Sequence, residues 1–329
     1  MHKNNHYEKQ VLFITCMILT ACFNSLKSQQ TEKQFTKTIK YLLYLPEEYG
    51  KESTTKWPLI LFLHGANQRG DDLTKVKTDG PPELIESGKK FKFIIVSPQV
   101  PPGEIWSPDI LVWLTKDIIA KYNVDVERIY MTGLSMGGYG TWETAQRYPG
   151  LFAAIIPICG GGDPSQAWTL RHTAVWIFHG EKDPRVPVKN SEIMFDSLKQ
   201  YNNSKLTIYP DVEHDSWTET YNNDEIFNWF LDHKRFRFEE MKMMDSLDKF
   251  TGLFSSGNDS VTVFRVEDKL WIKYGFAGYR VSLLKKSSGN TFFLGSDGPD
   301  EIRYNMNKEG FMSSFTFYSD TRKTYFRIK

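Results

Sequence analysis

A single serine, Ser135, stands in Gly133-Leu134-Ser135-Met136-Gly137-Gly138, preceded by the apolar run Ile129 to Thr132 and followed by an amphipathic stretch. A serine hydroxyl is a weak nucleophile at neutral pH and becomes effective when an imidazole takes its proton and a carboxylate orients that imidazole. The G-x-S-x-G spacing serves such a serine when a strand enters it and a helix leaves it. The glycines let the backbone crowd through a sharp turn, the hydroxyl stands above the sheet, and the helix amino terminus favours a developing negative charge.

The base and acid are expected downstream, in the order serine, acid, histidine. Of seven histidines, His2, His6, His64 and His172 fall too early, and His179 ends a strand before the expected acid. His214, in "YPDVEHDSW", occupies the loop after the last expected strand, whereas His233 closes a helix. His214 is therefore the expected base. The acid should follow "AVWIFHG"; Asp183 in "GEKDPRVP" is selected, Glu181 is the second candidate, and Asp211 and Asp215 lie too close to His214 in sequence to orient it easily. An oxyanion needs two backbone N–H donors. Met136 follows the nucleophile, and the loop "LHGANQRGDD" offers Ala66, with Asn67 as the alternative. His64 reads as a brace for that loop, and Arg69 with Asp71 as an ion pair within it, a substrate clamp being the alternative.

The elements that must position these groups alternate between Thr38 and His233, where short apolar runs are separated by amphipathic ones. Strands are expected at Ile39 to Leu45, Leu59 to Leu63, Phe93 to Val96, Ile129 to Thr132, Ala154 to Ile158, Val175 to Phe178 and Leu206 to Tyr209. Helices are expected at Asp109 to Tyr122, Gly138 to Tyr148, Ser191 to Tyr201 and Asp224 to His233. That alternation predicts a doubly wound, mostly parallel α/β sheet over residues 35–235. A charged helical linker is expected at 236–249. From 250 to 329, seven segments of period-two alternation with Gly, Asn, Asp and Ser turns predict a small antiparallel all-β domain. Its aromatics Trp271, Tyr274, Phe276 and Tyr279 could stack on sugars or fill a small core.

The chain has 329 residues, 41 basic and 40 acidic; setting aside Lys3, Glu8 and Lys9 leaves 39 of each. A neutral body makes nucleic acid an unexpected partner. Residues 1–21 read as an export signal: basic residues, the short apolar run Val11 to Leu19, then small residues. Leu19-Thr20-Ala21-Cys22 resembles the bacterial lipobox, so Cys22 is the expected lipidation site of a membrane-anchored lipoprotein; a plain cleaved signal is the alternative. Only Cys159 then remains in the body, which excludes an intramolecular disulfide. No histidine pair has metal-ligand spacing, and neither metal nor cofactor is expected.

The serine motif, "LHGANQRGDD", "HGEKDPRVP" and "HDSW" together resemble the α/β-hydrolase superfamily, in its carboxylesterase, feruloyl esterase and polyhydroxyalkanoate depolymerase-like branch, over about residues 35 to 235. The resemblance implies ester hydrolysis through an acyl-enzyme with Ser135, Asp183 and His214 as triad. It implies small-molecule or polymer-borne esters, possible ones on polysaccharides included, as substrates. It also implies that Trp106 and Asn67 contact substrate, although Trp106 can equally be a core residue anchoring its loop. A serine peptidase of prolyl-oligopeptidase type, or a non-catalytic glycan- or partner-binding lipoprotein, are the alternative readings. The resemblance does not extend past Phe250, and nothing in the sequence indicates an oligomeric state.

Overall fold

Strands that lie between two layers of helices must be apolar on both faces, and that is where the longest apolar runs are found. The structure is a computed structural model that describes residues 38–236, 247–274, 280–286, 290–294, 300–318 and 322–329. The expected leader, with Cys22, and residues 237–246 of the expected linker lie outside the described residues.

Seven strands form the first sheet: β1 (Lys40–Tyr44), β2 (Trp57–Leu63), β3 (Ile94–Gln99), β4 (Val124–Leu134), β5 (Ala154–Ile158), β6 (Ala174–Gly180) and β7 (Ser204–Tyr209). Their order is β1-β3-β2-β4-β5-β6-β7, with β1 antiparallel to β3 and the remainder parallel. The helices are α1 (Gly80–Glu86), α2 (Pro108–Lys121), α3 (Met136–Arg147), α4 (Lys189–Leu198), α5 (Trp217–Asn222) and α6 (Glu225–Leu231). One core layer gathers Leu61, Val96, Leu111, Trp142 and Ile177, and the other Phe62, Ile95, Ile156, Phe178 and Phe230, so both faces of the sheet are covered.

Register places the functional loops side by side. Leu63 pairs with Gly133 and Leu134 with Ile158, so the loops after β2, β4 and β5 leave the sheet together. Gly180 pairs with Tyr209, which brings the loop of Asp183 beside that of His214. All five loops emerge at the carboxyl ends of parallel strands, where open α/β sheets place their ligand sites.

The second domain is a closed antiparallel barrel of β8 (Gly252–Ser256), β9 (Asp259–Val266), β10 (Lys269–Tyr274), β11 (Arg280–Lys286), β12 (Thr291–Leu294), β13 (Glu301–Met306), β14 (Met312–Tyr318) and β15 (Lys323–Arg327). It has one strand more than the sequence pattern predicts. That strand, β8, pairs with β15 through Phe326 and Ser255 and so closes the ring, which removes both sheet edges. Phe254, Phe292, Phe315 and Tyr325 fill the interior. Trp271 and Tyr274 are half-buried, and Tyr274 packs on Phe317 with ring centroids 5.5 Å apart, which makes it part of this core. Phe276 and Tyr279 lie outside the described residues.

Body and barrel meet at a buried charge cluster. Arg171 and Glu301, each with a side chain 2% exposed, pair at 3.1 Å. His172 Nε2 lies 2.9 Å from the same Glu301 oxygen, and Arg303 donates to the other. Burial raises the Glu301 carboxyl, but the His172 hydrogen bond and the charges of Arg171 and Arg303 outweigh it and hold the group at about 2.

Candidate active site

Ser135 has φ 52° and ψ −114°, a conformation that a non-glycine residue adopts only when its surroundings impose it. The flanking glycines explain how. A Cβ at Gly137 would stand 2.0 Å from the Leu63 carbonyl oxygen, and one at Gly133 would stand 2.5 Å from the Gly137 carbonyl oxygen. The strand-to-helix turn therefore closes only without side chains there. The elbow is pinned from below by Ser135 N–H, which donates to the Ile158 carbonyl at 3.0 Å and approaches Cys159 Sγ at 3.3 Å.

His214 Nε2 lies 3.0 Å from Ser135 Oγ, and His214 Nδ1 lies 2.7 Å from Asp183 Oδ2. A carboxylate only accepts, so Nδ1 carries the proton, and Nε2 is left as an acceptor for the serine hydroxyl. Asp183 Oδ1 accepts the N–H groups of Arg185 and Val186 at 2.8 and 2.9 Å. Burial raises this carboxyl, and the hydrogen bonds from Val186, His214 and Arg185 outweigh it, leaving it below the ordinary aspartate value. It stays ionised at neutral pH. The structure thus brings Ser135, His214 and Asp183 into one hydrogen-bonded line. Glu181, the second candidate acid, is exposed and makes its one backbone bond to Tyr209, while Asp211 pairs with Lys182.

Met136 is the first residue of α3, and Ala66 the first of a 3-10 turn spanning Ala66–Gln68. The two turns approach closely: a Cβ at Gly65 would lie 2.7 Å from Leu134 Cδ1. Among the described residues neither the Met136 nor the Ala66 N–H donates to a protein acceptor, as two donors kept for an oxyanion require. His64 braces this loop, with Nδ1 2.6 Å from the Gly65 carbonyl and Nε2 accepting the Val100 N–H at 3.1 Å. Burial pushes its imidazole down to about 4, so it is neutral and both hydrogen bonds are satisfied in one tautomer. The expected ion pair between Arg69 and Asp71 does not form: Arg69 Nε is buried without a partner, and Asp71 offers its carbonyl to Lys40.

A cavity of about 470 Å³ opens at Ser135, flanked by Ile105, Trp106, Met136 and Tyr139. Trp106 anchors its loop and borders this cavity. Only 3% exposed, it donates its indole N–H to the His64 carbonyl at 3.1 Å and also lines this cavity. Asn67 is exposed in its turn and lines neither this cavity nor the next. A second cavity of about 520 Å³ shares Tyr139 and Glu143 and adds Gln146, Asp163, Asn190 and Ile193. Tyr139 and Glu143 are four and eight residues beyond Ser135, on one face of α3. That spacing was readable in the sequence, and neither residue was anticipated. Exposed Tyr139 receives Asn190 Nδ2 on its hydroxyl at 3.2 Å.

Cys159 was expected only as the single cysteine left in the body. It has φ 40° and lies directly beneath the elbow, and burial pushes its thiol up to about 12. Ligand-type atoms of Cys159, Asp183 and His214 fall within 4.8 Å of one another. Asp183 and His214 are committed to each other and to Ser135, and a protonated, buried thiol is a poor metal ligand. The geometry favours proton transfer over metal binding.

The phospholipase/carboxylesterase family matches residues 112–224. Poly(3-hydroxyalkanoate) depolymerase C of Paucimonas lemoignei is 31% identical over 121 residues, which are 32% of this chain and 28% of that protein. A bifunctional acetylxylan esterase/xylanase of Neocallimastix patriciarum is 26% identical over 166 residues, 48% of this chain and 23% of that protein. The matches thus span less than a third of either curated relative. A thermostable esterase of solved structure is 33% identical over 60% of each chain, with a TM-score of 0.53. The body has the α/β-hydrolase fold and resembles that superfamily's esterase branch.

Proposed function

We propose that this chain is an exported serine esterase that cleaves carboxylic esters through an acyl-enzyme. The observation that carries the reading is the line Asp183 Oδ2, His214, Ser135 Oγ, with contacts of 2.7 and 3.0 Å. Ser135 Oγ attacks the ester carbonyl carbon while His214 Nε2 takes the hydroxyl proton, and Asp183 holds the resulting imidazolium. The N–H groups of Met136 and Ala66 take the oxyanion. The tetrahedral adduct expels the alcohol, which receives the proton from His214. Water then repeats the sequence with His214 as base, releasing the acid and restoring Ser135.

The cavities support an extended substrate. The lobe at Ser135 is apolar, through Ile105, Trp106 and Met136, and fits an acyl group of modest size. The lobe beyond Tyr139 carries Glu143, Gln146, Asp163 and Asn190 and suits a hydroxyl-rich alcohol such as a polysaccharide unit. Export and a lipid anchor at Cys22 would place the enzyme where such polymers are met. The decisive experiment assays purified protein on acetylated and hydroxycinnamoylated oligosaccharides, short aryl esters and aminoacyl amides. Turnover of the esters well above that of the amides is the expected result; amides cleaved faster would make the chain a peptidase.

A further inference from the structure

His179 is the last residue but one of β6, fully buried, and too early in the chain to be the base. Its ring nevertheless reaches the catalytic carboxylate. Nε2 lies 3.3 Å from Asp183 Oδ2 and 2.9 Å from the Val186 carbonyl, and Nδ1 lies 2.7 Å from Ser191 Oγ. Both neighbours of Nε2 are pure acceptors, so Nε2 must carry the proton, and Nδ1 accepts from the Ser191 hydroxyl. Burial lowers the imidazole's proton affinity, which is consistent with a neutral ring.

We infer that His179 is a positioning residue: its Nε2–H fixes the plane of the Asp183 carboxylate so that Oδ2 meets His214, an inference that rests on the proposed triad. Asp183 has four lone-pair directions to satisfy. Arg185 and Val186 donate to Oδ1 and His214 to one side of Oδ2; the His179 Nε2–H, whose hydrogen bond goes to the Val186 carbonyl at 2.9 Å, faces the other side at 3.3 Å. Without that N–H the buried charge loses a nearby positive dipole, and the Val186 turn, whose own N–H holds Oδ1, loses the brace on its carbonyl, so the carboxylate can rotate about its Cβ–Cγ bond. Neutrality matters as much as reach. A cation at this place would compensate the Asp183 charge that the His214 imidazolium needs during turnover, whereas a neutral donor orients the carboxylate and leaves its charge available. Ser191, at the start of α4, fixes the ring in turn. One carboxylate thus lies between two imidazoles, hydrogen-bonded to His214 at 2.7 Å and faced by His179 at 3.3 Å.

The test compares His179→Phe, which keeps ring volume without a donor, with His179→Gln, whose amide nitrogen reaches the place of Nε2. Each is made in the wild type and in an Asp183→Asn background. Three quantities are measured: thermal stability, kcat and KM on a short acyl ester, and the rate at which a fluorophosphonate labels Ser135. His179→Phe is expected to lower kcat and the labelling rate by about 10- to 100-fold with KM within about twofold, since misorientation costs turnover rather than binding. His179→Gln should recover most of the loss. In the Asp183→Asn background the Phe change should cost less than about twofold, because the carboxylate it orients is gone. Equal losses in both backgrounds, a Gln variant as impaired as Phe while still folded, or a Phe variant that labels at the wild-type rate would each overturn the inference. A wild type that labels at Ser135 but turns over no ester refutes the esterase reading alone, and the labelling rates still decide the role of His179. A wild type inert to both refutes the triad and this inference with it.

Discussion

Trp217 packs edge-on against the His214 imidazole, ring centroids 5.4 Å apart, and its indole N–H is anchored on Asp79 Oδ1 at 2.9 Å. Asp79 Oδ2 in turn accepts Gln68 Nε2 from the turn that begins with Ala66. One carboxylate thereby ties the loop of His214 to the loop of Ala66. Asp79→Ala takes the partner from the half-buried Trp217 indole N–H and leaves Gln68 Nε2 only the Thr78 hydroxyl, at a cost of about 1–3 kcal/mol. We expect it to lower kcat by about tenfold with smaller change in KM. A variant that loses stability but keeps kcat would limit Asp79 to a structural role.

Tyr139 and Glu143 divide the two cavities, about 12 Å of helix separating Ser135 from Glu143 at 1.5 Å per residue. Tyr139→Ala should reduce kcat/KM on an acetylated oligosaccharide by about tenfold, the worth of a stacked aromatic, while a short aryl ester that stays in the first lobe changes by less than about twofold. Equal effects on both substrates would place Tyr139 in the acyl site instead.

The Arg171–Glu301 pair predicts how the barrel contributes to stability. Removing one partner of a buried pair leaves an uncompensated charge, so Glu301→Ala should cost about 3–5 kcal/mol in denaturant unfolding. Glu301 is held at about 2, below its ordinary value of 4.5. Its stabilising contribution is therefore complete above about 4.5 and is lost as pH falls toward 2. The difference in stability between wild type and Glu301→Gln should narrow over that window; a constant difference would contradict the charge assignment. Cutting the chain before β8 removes Glu301 and strands Arg171. The independent barrel that the alternating strands imply is thus expected to be harder to remove than a linker-joined module.

Membrane anchorage follows from the lipobox reading. Cys22→Ser should move the protein from the membrane fraction to the soluble one or leave it unprocessed, and a lipid precursor should label the wild type and not the variant. An unlabelled wild type contradicts the anchor.

Much of this was legible because it is local. The elbow at Ser135, the loops of Asp183 and His214, and most strands of the sheet are marked by residues within one element. What escaped is short or tertiary. Strand β8, Gly252–Ser256, offers only Leu253 and Phe254 as apolar residues and shows no alternation, although the barrel cannot close without it. Helix α1 begins Gly80-Pro81-Pro82, which reads as a turn, and α5 is six residues long, with too few apolar positions to mark a face. The Asp79 bridge to Trp217 spans 138 positions and the Arg171–Glu301 pair 130, separations that only folding closes. His179 was set aside because its place in the chain does not suit a base, and its three-dimensional place beside Asp183 gives it other work.

Hydrolysis by this site passes through an acyl-enzyme on Ser135 if the proposed function holds. Intact-mass spectrometry of the protein quenched during turnover of a slow aryl ester measures this directly. The account predicts one added acyl group per chain, mapped to the peptide containing Ser135 and absent from Ser135→Ala, with turnover in that variant reduced by about 10⁴-fold or more and its unfolding transition unchanged. An acyl group on another residue, or a Ser135→Ala variant that still releases product at a comparable rate, would contradict it.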